Sequence, residues 1–326
     1  MKKLVTILGP TCTGKTSLAV KLCKTFDGEI VSADSRQIYK YMDTGTGKLP
    51  VPKSQVSNPK SQTNVEDREI TKGDGYWIID GIYVHLYDVV EPDRKFSVAR
   101  FKDAATREIE SMWRRGKVPF LVGGTGFYIA AVLGEVEFPR VPPDWKLRRE
   151  LEKIPTAELF EKLQKLDPER AKKIDPKNPH RLIRAIEVAK WKVEGRRWKV
   201  EREEEKCEDL KIGLTSSRET LYQRADAWAE GIVNNGLLDE VQDLINSGYK
   251  NTPPMKGIIY QPAVDFLEGK ISKEEMLQRV KFDLHGYIRR QLTWFKRDKE
   301  IKWFDLTESD CGKKVEKMVE LFLKDG

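Results

Sequence analysis

The strongest constraint on the fold is the segment GPTCTGKT at residues 9–16, which has the pattern G-x-x-x-x-G-K-[ST]. It follows the short apolar run LVTIL and precedes TSLAVKLCKTF, where Leu18, Leu22 and Phe26 recur at helical spacing. The two glycines of the pattern allow backbone conformations closed to other residues, so successive N–H groups can point at anionic oxygens. A strand, this loop and a helix in succession therefore predict a phosphate-binding loop.

The side chains of the loop predict how the phosphates are held. Lys15 would place its charge at the outer phosphate, and Thr16 would offer its hydroxyl to Mg²⁺ at the start of the helix. The pattern is shared by nucleotide-binding and ATP-binding proteins, and by itself it leaves the identity of the phosphate-bearing molecule open. The residues expected to line the bound phosphate groups are those of the loop: Gly9, Pro10, Thr11, Cys12, Thr13, Gly14, Lys15 and Thr16.

Composition excludes several classes of protein. A chain of 326 residues is long enough for one large α/β domain with an insertion, or for two domains. The formal charge of +7 is compatible with an anionic partner without requiring one. The four cysteines, at positions 12, 23, 207 and 311, form no C-x-x-C pair, so neither a zinc site nor a disulfide framework is indicated. No segment approaches membrane-spanning length, and we expect a cytoplasmic protein without membrane association.

Strand and helix patterns alternate through the first part of the chain. Strand-like apolar runs occur at 29–34, 83–90 and 118–124. Between the last two, a helix is predicted at 97–115 with Ser97 as its N-cap. This alternation predicts an α/β fold: a P-loop NTPase-like, mostly parallel sheet flanked by helices on both faces.

The alternation of strand and helix patterns ends at about residue 134, where FPRVPPDW begins a helical, highly charged stretch. We therefore predict a core α/β domain in two parts, 1–133 with the P-loop and 201–326, interrupted by a helical insertion domain at 134–200.

Three further segments complete the layout. Residues 49–67 are rich in Pro, Ser, Gln and Asn and are expected to form a mobile surface loop. Residues 209–215 are expected to return to the sheet. A long helix is predicted at 272–297, where Ser272 and Glu275 form a capping box.

Candidate chemical groups follow two of the strands. Asp34 ends the strand at 29–34 and should face the same crevice as the phosphate loop, because ligands bind outside the carboxyl ends of parallel strands. Its carboxylate could hold Mg²⁺ through water, accept a proton from a nucleophile, or only cap a turn. The glycine turn GGTGFY at 123–128 should reach the same edge, where Thr125 could bond a ligand, although a structural turn would use the same glycines.

Two basic segments could meet an anion. In NPHRLIRA, Asn178 and Pro179 are expected to start a helix. Arg181 and Arg184 are three residues apart on it and share a face, which could bind an anionic partner. A solvated charged face fits the same residues equally well. The segment YIRRQLTWFKR at 287–297 interleaves arginines with aromatic residues that could stack on bases or belong to the core.

Six blocks of the sequence together resemble the tRNA dimethylallyltransferases, also called tRNA isopentenyltransferases. The blocks span almost the whole chain in the family's order and spacing: GPTCTGKTSLAVKL, SADSRQIYKYMDTGTGK, HLYDVVEPDRKFSVARF, GKVPFLVGGTGFY, DPKNPHRLIRAIEV and RRQLTWF.

The resemblance implies that the loop holds the diphosphate of dimethylallyl diphosphate and not ATP. The prenyl group would move to the exocyclic N6 of an adenine next to the anticodon of tRNA, with release of diphosphate. Asp34 matches the family's general base, Thr11 matches a threonine beside the leaving oxygen, and Mg²⁺ at Thr16 would assist. The residues that the resemblance marks as catalytic are Asp34, Thr11, Lys15 and Arg224.

The resemblance also implies a tRNA partner. The helical insertion would embrace the anticodon stem-loop, and the target adenine would leave its stack to reach Asp34. We expect a monomeric enzyme. The residues assigned to tRNA contact are Asp34, Ser35, Arg36, Gln37, Thr125, His180, Arg181, Arg184, Arg290 and Gln291.

Three positions depart from the family's pattern. His180 replaces the usual Gln of an N-P-Q-R motif, and Ile259 replaces a Gly that normally precedes the tyrosine corresponding to Tyr260. Trp228 stands where members commonly carry a second Arg that assists the diphosphate, which leaves Arg224 as the candidate for that role.

Two other functions fit the loop. A small-molecule or nucleoside kinase would share the fold and use the helical insertion as a lid over ATP. An NTP-driven RNA-binding switch would need an aspartate that holds Mg²⁺ at the end of an apolar strand, for which Asp80 and Asp88 are candidates.

Overall fold

The structure is a computed structural model that describes residues 2–48, 69–136, 139, 141–194 and 207–325. The loop predicted at 49–67 lies outside the described residues. Contacts divide the chain into two compact units, one formed by 1–136 with 206–326 and the other by 137–205.

Eight strands of the described residues form one sheet in the order β3-β4-β5-β2-β6-β1-β7-β8. The strands are Lys3–Leu8 (β1), Gly28–Ser32 (β2), Ile70–Lys72 (β3), Tyr76–Ile79 (β4), Ile82–His85 (β5), Val118–Gly123 (β6), Glu208–Thr215 (β7) and Lys302–Asp305 (β8). All pairings from β5 to β8 are parallel, which confirms the predicted parallel sheet and the predicted return at 209–215.

The helices of the described residues alternate with these strands and then follow them. They are Lys15–Phe26 (α1), Val98–Arg114 (α2), Gly126–Val132 (α3), Trp145–Leu151 (α4), Thr156–Leu166 (α5), Pro168–Ala171 (α6), Pro179–Val193 (α7), Arg218–Asn234 (α8), Leu237–Asn246 (α9), Tyr260–Leu267 (α10), Lys273–Phe295 (α11) and Cys311–Lys324 (α12). Within this part of the chain, no helix combines the length and apolarity needed to cross a membrane.

Helices cover both faces of the sheet, as predicted. Alternate residues of β1 enter different cores: Val5 and Ile7 pack with apolar residues of α1 and α12, whereas Leu4 and Leu8 pack with those of α2 and α3. This alternation is the two-residue period of a strand that is buried on both faces. A third apolar cluster joins α8, α9, α10 and α11.

Local signals set the helix ends. The Ser97 side chain accepts a hydrogen bond from the Arg100 N–H and so caps α2, as predicted. Ser272 and Glu275 form the predicted capping box of α11.

The strand predicted at 83–90 is wrong in its length, since β5 ends at His85. Leu86 and Asp88 have φ values of 65° and 55°, which take the chain out of extended geometry. Sequence reasoning named the apolar run that ends at Asp80 as a candidate strand, but it missed β3 and the antiparallel pairing of β3, β4 and β5. An Asp80-Gly81 turn with φ values of 52° and 81° joins β4 to β5, and this dipeptide between apolar runs was an available hairpin signal.

The second unit is helical. Helices α4, α5 and α7 bury one apolar cluster that includes Leu147, Leu159 and Ile186. Glu187 is only 3 % exposed within this unit. It accepts hydrogen bonds from Arg148 and Arg184, and these bonds hold the pKa of its carboxyl below the usual range against the opposing effect of burial.

Candidate active site

The phosphate loop connects β1 to α1. Gly9 has a φ of 142°, and a Cβ there would lie 2.3 Å from the backbone oxygen of Leu214 on β7. Gly14 has a φ of 76° and precedes the first residue of α1. Glycine is therefore required at Gly9 by both conformation and close approach, and it suits the left-handed conformation at Gly14.

The loop presents a set of backbone donors. The N–H groups of residues 12–16 have no acceptor within the described residues. The first turn of α1 carries no acidic residue, so its positive end is not neutralised by its own side chains. This arrangement suits an anion of several oxygens.

Lys15 adds a cation to these donors. Its Nζ donates to the Pro10 backbone oxygen at 2.6 Å, which holds it across the loop. Burial lowers the pKa of Lys15 from 10.5 to about 8, and the charge of Asp34 acts in the opposite direction. A bound anion would favour the charged form and raise that pKa again.

Arg224 reaches the loop from α8. Its Nε donates to the Cys12 backbone oxygen at 2.8 Å. One turn further along, Trp228 packs beside Gly47 and the apolar cluster of the C-terminal helices. The helix therefore brings one cation to the loop, and Trp228 packs against apolar groups instead of adding a second cation.

Asp34 lies just beyond the end of β2 and is partly buried. Its Oδ1 accepts a hydrogen bond from the Arg36 N–H at 2.8 Å, so the turn-capping interpretation is correct for one oxygen. The charge of Asp34 raises the pKa of Lys15, and it also contributes to raising the pKa of Tyr287, for which burial is the main cause. Asp34 is thus within electrostatic range of the phosphate loop.

The glycine turn holds the Asp34 segment on both sides. Thr125 donates its N–H to the Ala33 oxygen at 3.2 Å, and its Oγ1 accepts from the Ser35 N–H at 3.1 Å. A Cβ at Gly123 would lie 2.2 Å from the Ala33 oxygen, so a side chain there would push the two segments apart. Thr125 is therefore placed beside Asp34, as the sequence predicted.

The two residues that follow Ser35 differ in whether their side chains are free to bind a ligand. The Gln37 amide accepts from Ser32 Oγ at 2.8 Å and donates to the Thr46 oxygen at 3.2 Å, so it is used within the protein. Arg36 is exposed, and its charge lowers the pKa of Tyr287. Of this pair, Arg36 is the one that presents a side chain to a ligand.

Helix α11 borders both loops. Gln291 is 5 % exposed and bonds at 2.9 Å with the Thr11 N–H and, through Nε2, with the Gly124 oxygen. Arg290 is exposed, with its guanidinium 5.8 Å from the centre of the Tyr287 ring. A shallow cavity runs along this helix, lined by Gly286, Arg289, Arg290, Thr293, Trp294 and Arg297.

In the helical unit, Asn178 caps α7 as predicted, since its side chain accepts from the Arg181 N–H at 3.1 Å. His180 and Arg181 are exposed. Arg184 instead bonds with Glu187 and with the backbone oxygens of residues 139 and 141, at 3.0 and 2.8 Å. The two arginines therefore do not present equivalent charges.

Two groups near the loop make contacts that the sequence did not predict. His285 on α11 bonds through Nε2 with Asp226 Oδ1 at 2.8 Å, and its ring stacks on Tyr222 with centroids 3.9 Å apart. Tyr287 hydrogen-bonds with the Thr125 side chain. No sequence signal marked the His285 pair, because its partner lies on a different helix.

Metal ligation was tested against the same residues. No group of three or more His, Cys, Asp or Glu side chains that could hold a metal occurs in the described part of the chain. Asp88, a candidate Mg²⁺ ligand for an NTP-driven switch, accepts instead from Lys48 Nζ and from Trp77 Nε1, each at 2.5 Å. The Thr16 hydroxyl has no partner within the described residues. It therefore fits Mg²⁺ if phosphate oxygens supply further ligands.

The fold and the loop define a class: P-loop NTPase-like α/β proteins, here with a carboxylate at the end of β2, which β6 separates from the strand that carries the loop.

Comparison with known proteins identifies the family. Residues 2–75 match the family model described as isopentenyl transferase, and residues 78–298 match that described as IPP transferase. A tRNA dimethylallyltransferase from Carboxydothermus hydrogenoformans is 37 % identical, over 98 % of this chain and 96 % of the relative. This chain belongs to the tRNA dimethylallyltransferase family.

Solved structures agree with this assignment. The crystal structure of a tRNA isopentenylpyrophosphate transferase from Bacillus halodurans matches with a TM-score of 0.67 and 34 % identity, over 99 % of this chain and 96 % of that one. A eukaryotic dimethylallyltransferase acting on tRNA matches with a TM-score of 0.77 and 22 % identity, over 100 % of this chain and 80 % of that one, which bears on the fold alone.

Proposed function

We propose that this protein transfers a dimethylallyl group from dimethylallyl diphosphate to the exocyclic N6 of an adenine adjacent to the anticodon of tRNA, releasing diphosphate. Membership of the family supports the reaction class. The observation that carries the proposal is the position of Asp34 at the end of β2, where the glycine turn that holds its backbone is bonded through Gln291 to the phosphate loop.

In this reaction the loop clamps a leaving group. Cleavage of the carbon–oxygen bond leaves negative charge on the diphosphate, and the N–H groups of residues 12–16 with the cations of Lys15 and Arg224 stabilise that charge. Thr11 lies within the loop, although its own N–H is already donated to Gln291. No phosphoryl group moves.

Asp34 serves as the general base. The exocyclic amine of adenine is a weak nucleophile because its lone pair is delocalised into the ring, so removal of its proton as the C–N bond forms lowers the barrier. One carboxylate oxygen is fixed by the Arg36 N–H, and the other makes no hydrogen bond within the described residues. That oxygen is available to the amine.

Mg²⁺ would be held by Thr16 together with diphosphate oxygens, and it would supply further charge neutralisation to the leaving group.

The second substrate is a tRNA. The target base must leave its stack, at a cost of a few kcal/mol that is lower in a loop than in a duplex. Arg36 and Thr125 beside Asp34 would meet the extruded base, while His180 and Arg181 on α7 and Arg290 on α11 would contact the tRNA. Ser35, Gln37 and Arg184 belong to the same proposed tRNA-binding set, although their side chains or backbone are already bonded within the protein. We further propose a monomeric, cytoplasmic enzyme.

The test is incubation of the protein with Mg²⁺, radiolabelled dimethylallyl diphosphate and unmodified tRNA, followed by nucleoside analysis. Label is expected on N6 of adenosine, and Asp34→Asn is the matched control that should give little. A parallel measurement of thermal unfolding compares ligands. Stabilisation by Mg²⁺-ATP and none by dimethylallyl diphosphate would refute the proposal in favour of a kinase.

A further inference from the structure

One face of α11 contacts the glycine turn at three successive points. Tyr287 hydrogen-bonds with the Thr125 side chain, and Gln291 donates to the Gly124 oxygen at 2.9 Å. Trp294 packs on Gly126 so closely that a Cβ there would lie 2.1 Å from the indole Cδ1. Positions 287, 291 and 294 share a helix face, so the turn is fixed by a rigid element and not by its own loop geometry.

Gln291 also holds the phosphate loop. Its Oε1 accepts from the Thr11 N–H at 2.9 Å, while its Nε2 donates to Gly124. The side chain is 5 % exposed; its bond to Gly124 is buried and its bond to Thr11 is partly buried. One buried amide thus ties together two loops that are more than a hundred residues apart in the chain.

The glycine turn is in turn bonded to the backbone on either side of Asp34. Gly124 is followed by Thr125, which bonds with the Ala33 oxygen and the Ser35 N–H on either side of Asp34. The path from Thr11 to the Asp34 backbone therefore runs through Gln291, Gly124 and Thr125.

We propose that Gln291 is a positioning residue that sets the distance between the diphosphate-holding loop and the general base Asp34. The inference rests on the proposed function, because it concerns the alignment of the two reactants of prenyl transfer. It assigns Gln291 to alignment and not to tRNA contact, since its amide is buried and both of its ends are used. Misplacement of reacting groups by about 1 Å can cost on the order of a hundredfold in rate.

The first experiment compares Gln291→Glu and Gln291→Ala with the wild type. The glutamate retains an acceptor for Thr11 but places a second oxygen against the Gly124 oxygen, and the alanine removes both bonds. With both substrates saturating, the single-turnover rate is expected to fall about 10- to 100-fold. The dissociation constant for tRNA should change less than about twofold. Gln242→Glu, on the exposed surface of α9, is the control and should change neither quantity.

A second variant breaks the same contact from the other side. A Cβ at Gly124 would lie 2.4 Å from Gln291 Nε2, so Gly124→Ala should displace the amide and slow the reaction. Added to Gln291→Ala, where the obstructing amide is absent, Gly124→Ala should cause little further loss. Such non-additivity is the signature of two residues acting through one contact.

Hydrogen exchange at the Thr11 amide provides a readout that does not depend on activity. The exchange is expected to be slow in the wild type and faster in Gln291→Ala. Weaker tRNA binding with an unchanged saturated rate would overturn the proposal in favour of direct tRNA contact, and an unchanged rate with unchanged exchange would also overturn it. A wild type that transfers no prenyl group would refute the proposed function itself, whereas the exchange result would still report whether the bridge exists.

Discussion

Raising the pH above 8 is expected to weaken the binding of dimethylallyl diphosphate. Burial lowers the pKa of Lys15 to about 8, so about nine tenths of the free protein carries a neutral lysine at pH 9. Binding of the diphosphate favours the charged lysine, and above pH 8 a proton must be taken up for binding. The affinity should therefore fall about tenfold from pH 7 to pH 9, equivalent to about 1.4 kcal/mol.

Other groups at the loop should not mask this change. Burial raises the pKa of the Cys12 thiol and so favours its neutral form. The terminal phosphate of the ligand resembles a monoester with a second pKa of about 6, so its charge is constant above about pH 7.

The assay is calorimetric titration with dimethylallyl diphosphate and Mg²⁺ between pH 7 and pH 9. Lys15→Arg is the matched control, since a guanidinium does not titrate in this range and its affinity should stay level. Equal pH dependence in the two proteins, or a level affinity in the wild type, would refute the argument that a buried Lys15 limits binding.

Three further predictions concern single residues. Asp34→Asn should lower the single-turnover rate about 10²- to 10⁴-fold with the affinity for dimethylallyl diphosphate nearly unchanged, and a rate equal to that of the wild type would remove Asp34 from the base role. Gly9→Ala should lower the melting temperature and abolish diphosphate binding, because its Cβ would lie 2.3 Å from the Leu214 oxygen at a φ of 142°. Burial raises the pKa of Asp209 from 3.8 to about 7, and its Oδ2 has no hydrogen-bond partner among the residues that the structure describes. The folded state thus holds a proton that the unfolded state loses between pH 4 and 7, so the free energy of unfolding should fall by on the order of 2–4 kcal/mol across that range. Urea denaturation at several pH values measures this free energy, and Asp209→Asn should make it depend less on pH.

Local signals made much of the fold predictable. The caps at Ser97, Asn178 and Ser272 form hydrogen bonds between neighbours in sequence, and each is found where it was predicted. The phosphate loop is equally local, since its backbone geometry depends on residues 9–16 themselves together with the strand and helix that flank them.

The contacts that complete the candidate site depend on tertiary packing and could not be predicted from local sequence patterns. Gln291 meets Thr11 across 280 positions, and Arg224 meets Cys12 across 212. The segment RRQ marked Gln291 as polar on a helix with an apolar face. Whether that side chain points toward solvent or into a contact between loops depends on the register of α11 against the sheet, which no local pattern contains.

The helix α7 demonstrates the same limit for charge. Arg181 and Arg184 are three residues apart, a spacing that predicted either a joint contact with an anion or a solvated face. Glu187 is buried at 3 % exposure, and a buried carboxylate requires a partner, which Arg184 provides. An Arg and a Glu three residues apart on a helix usually form a weak ion pair on the surface. Because Glu187 is buried, its ion pair with Arg184 is needed for the stability of the helical unit. Substitution of Arg184 would therefore disturb the helical unit itself. Arg181 is exposed, and its side chain has no partner among the described residues. A loss of tRNA affinity on substitution of Arg181 can therefore be attributed to the lost charge.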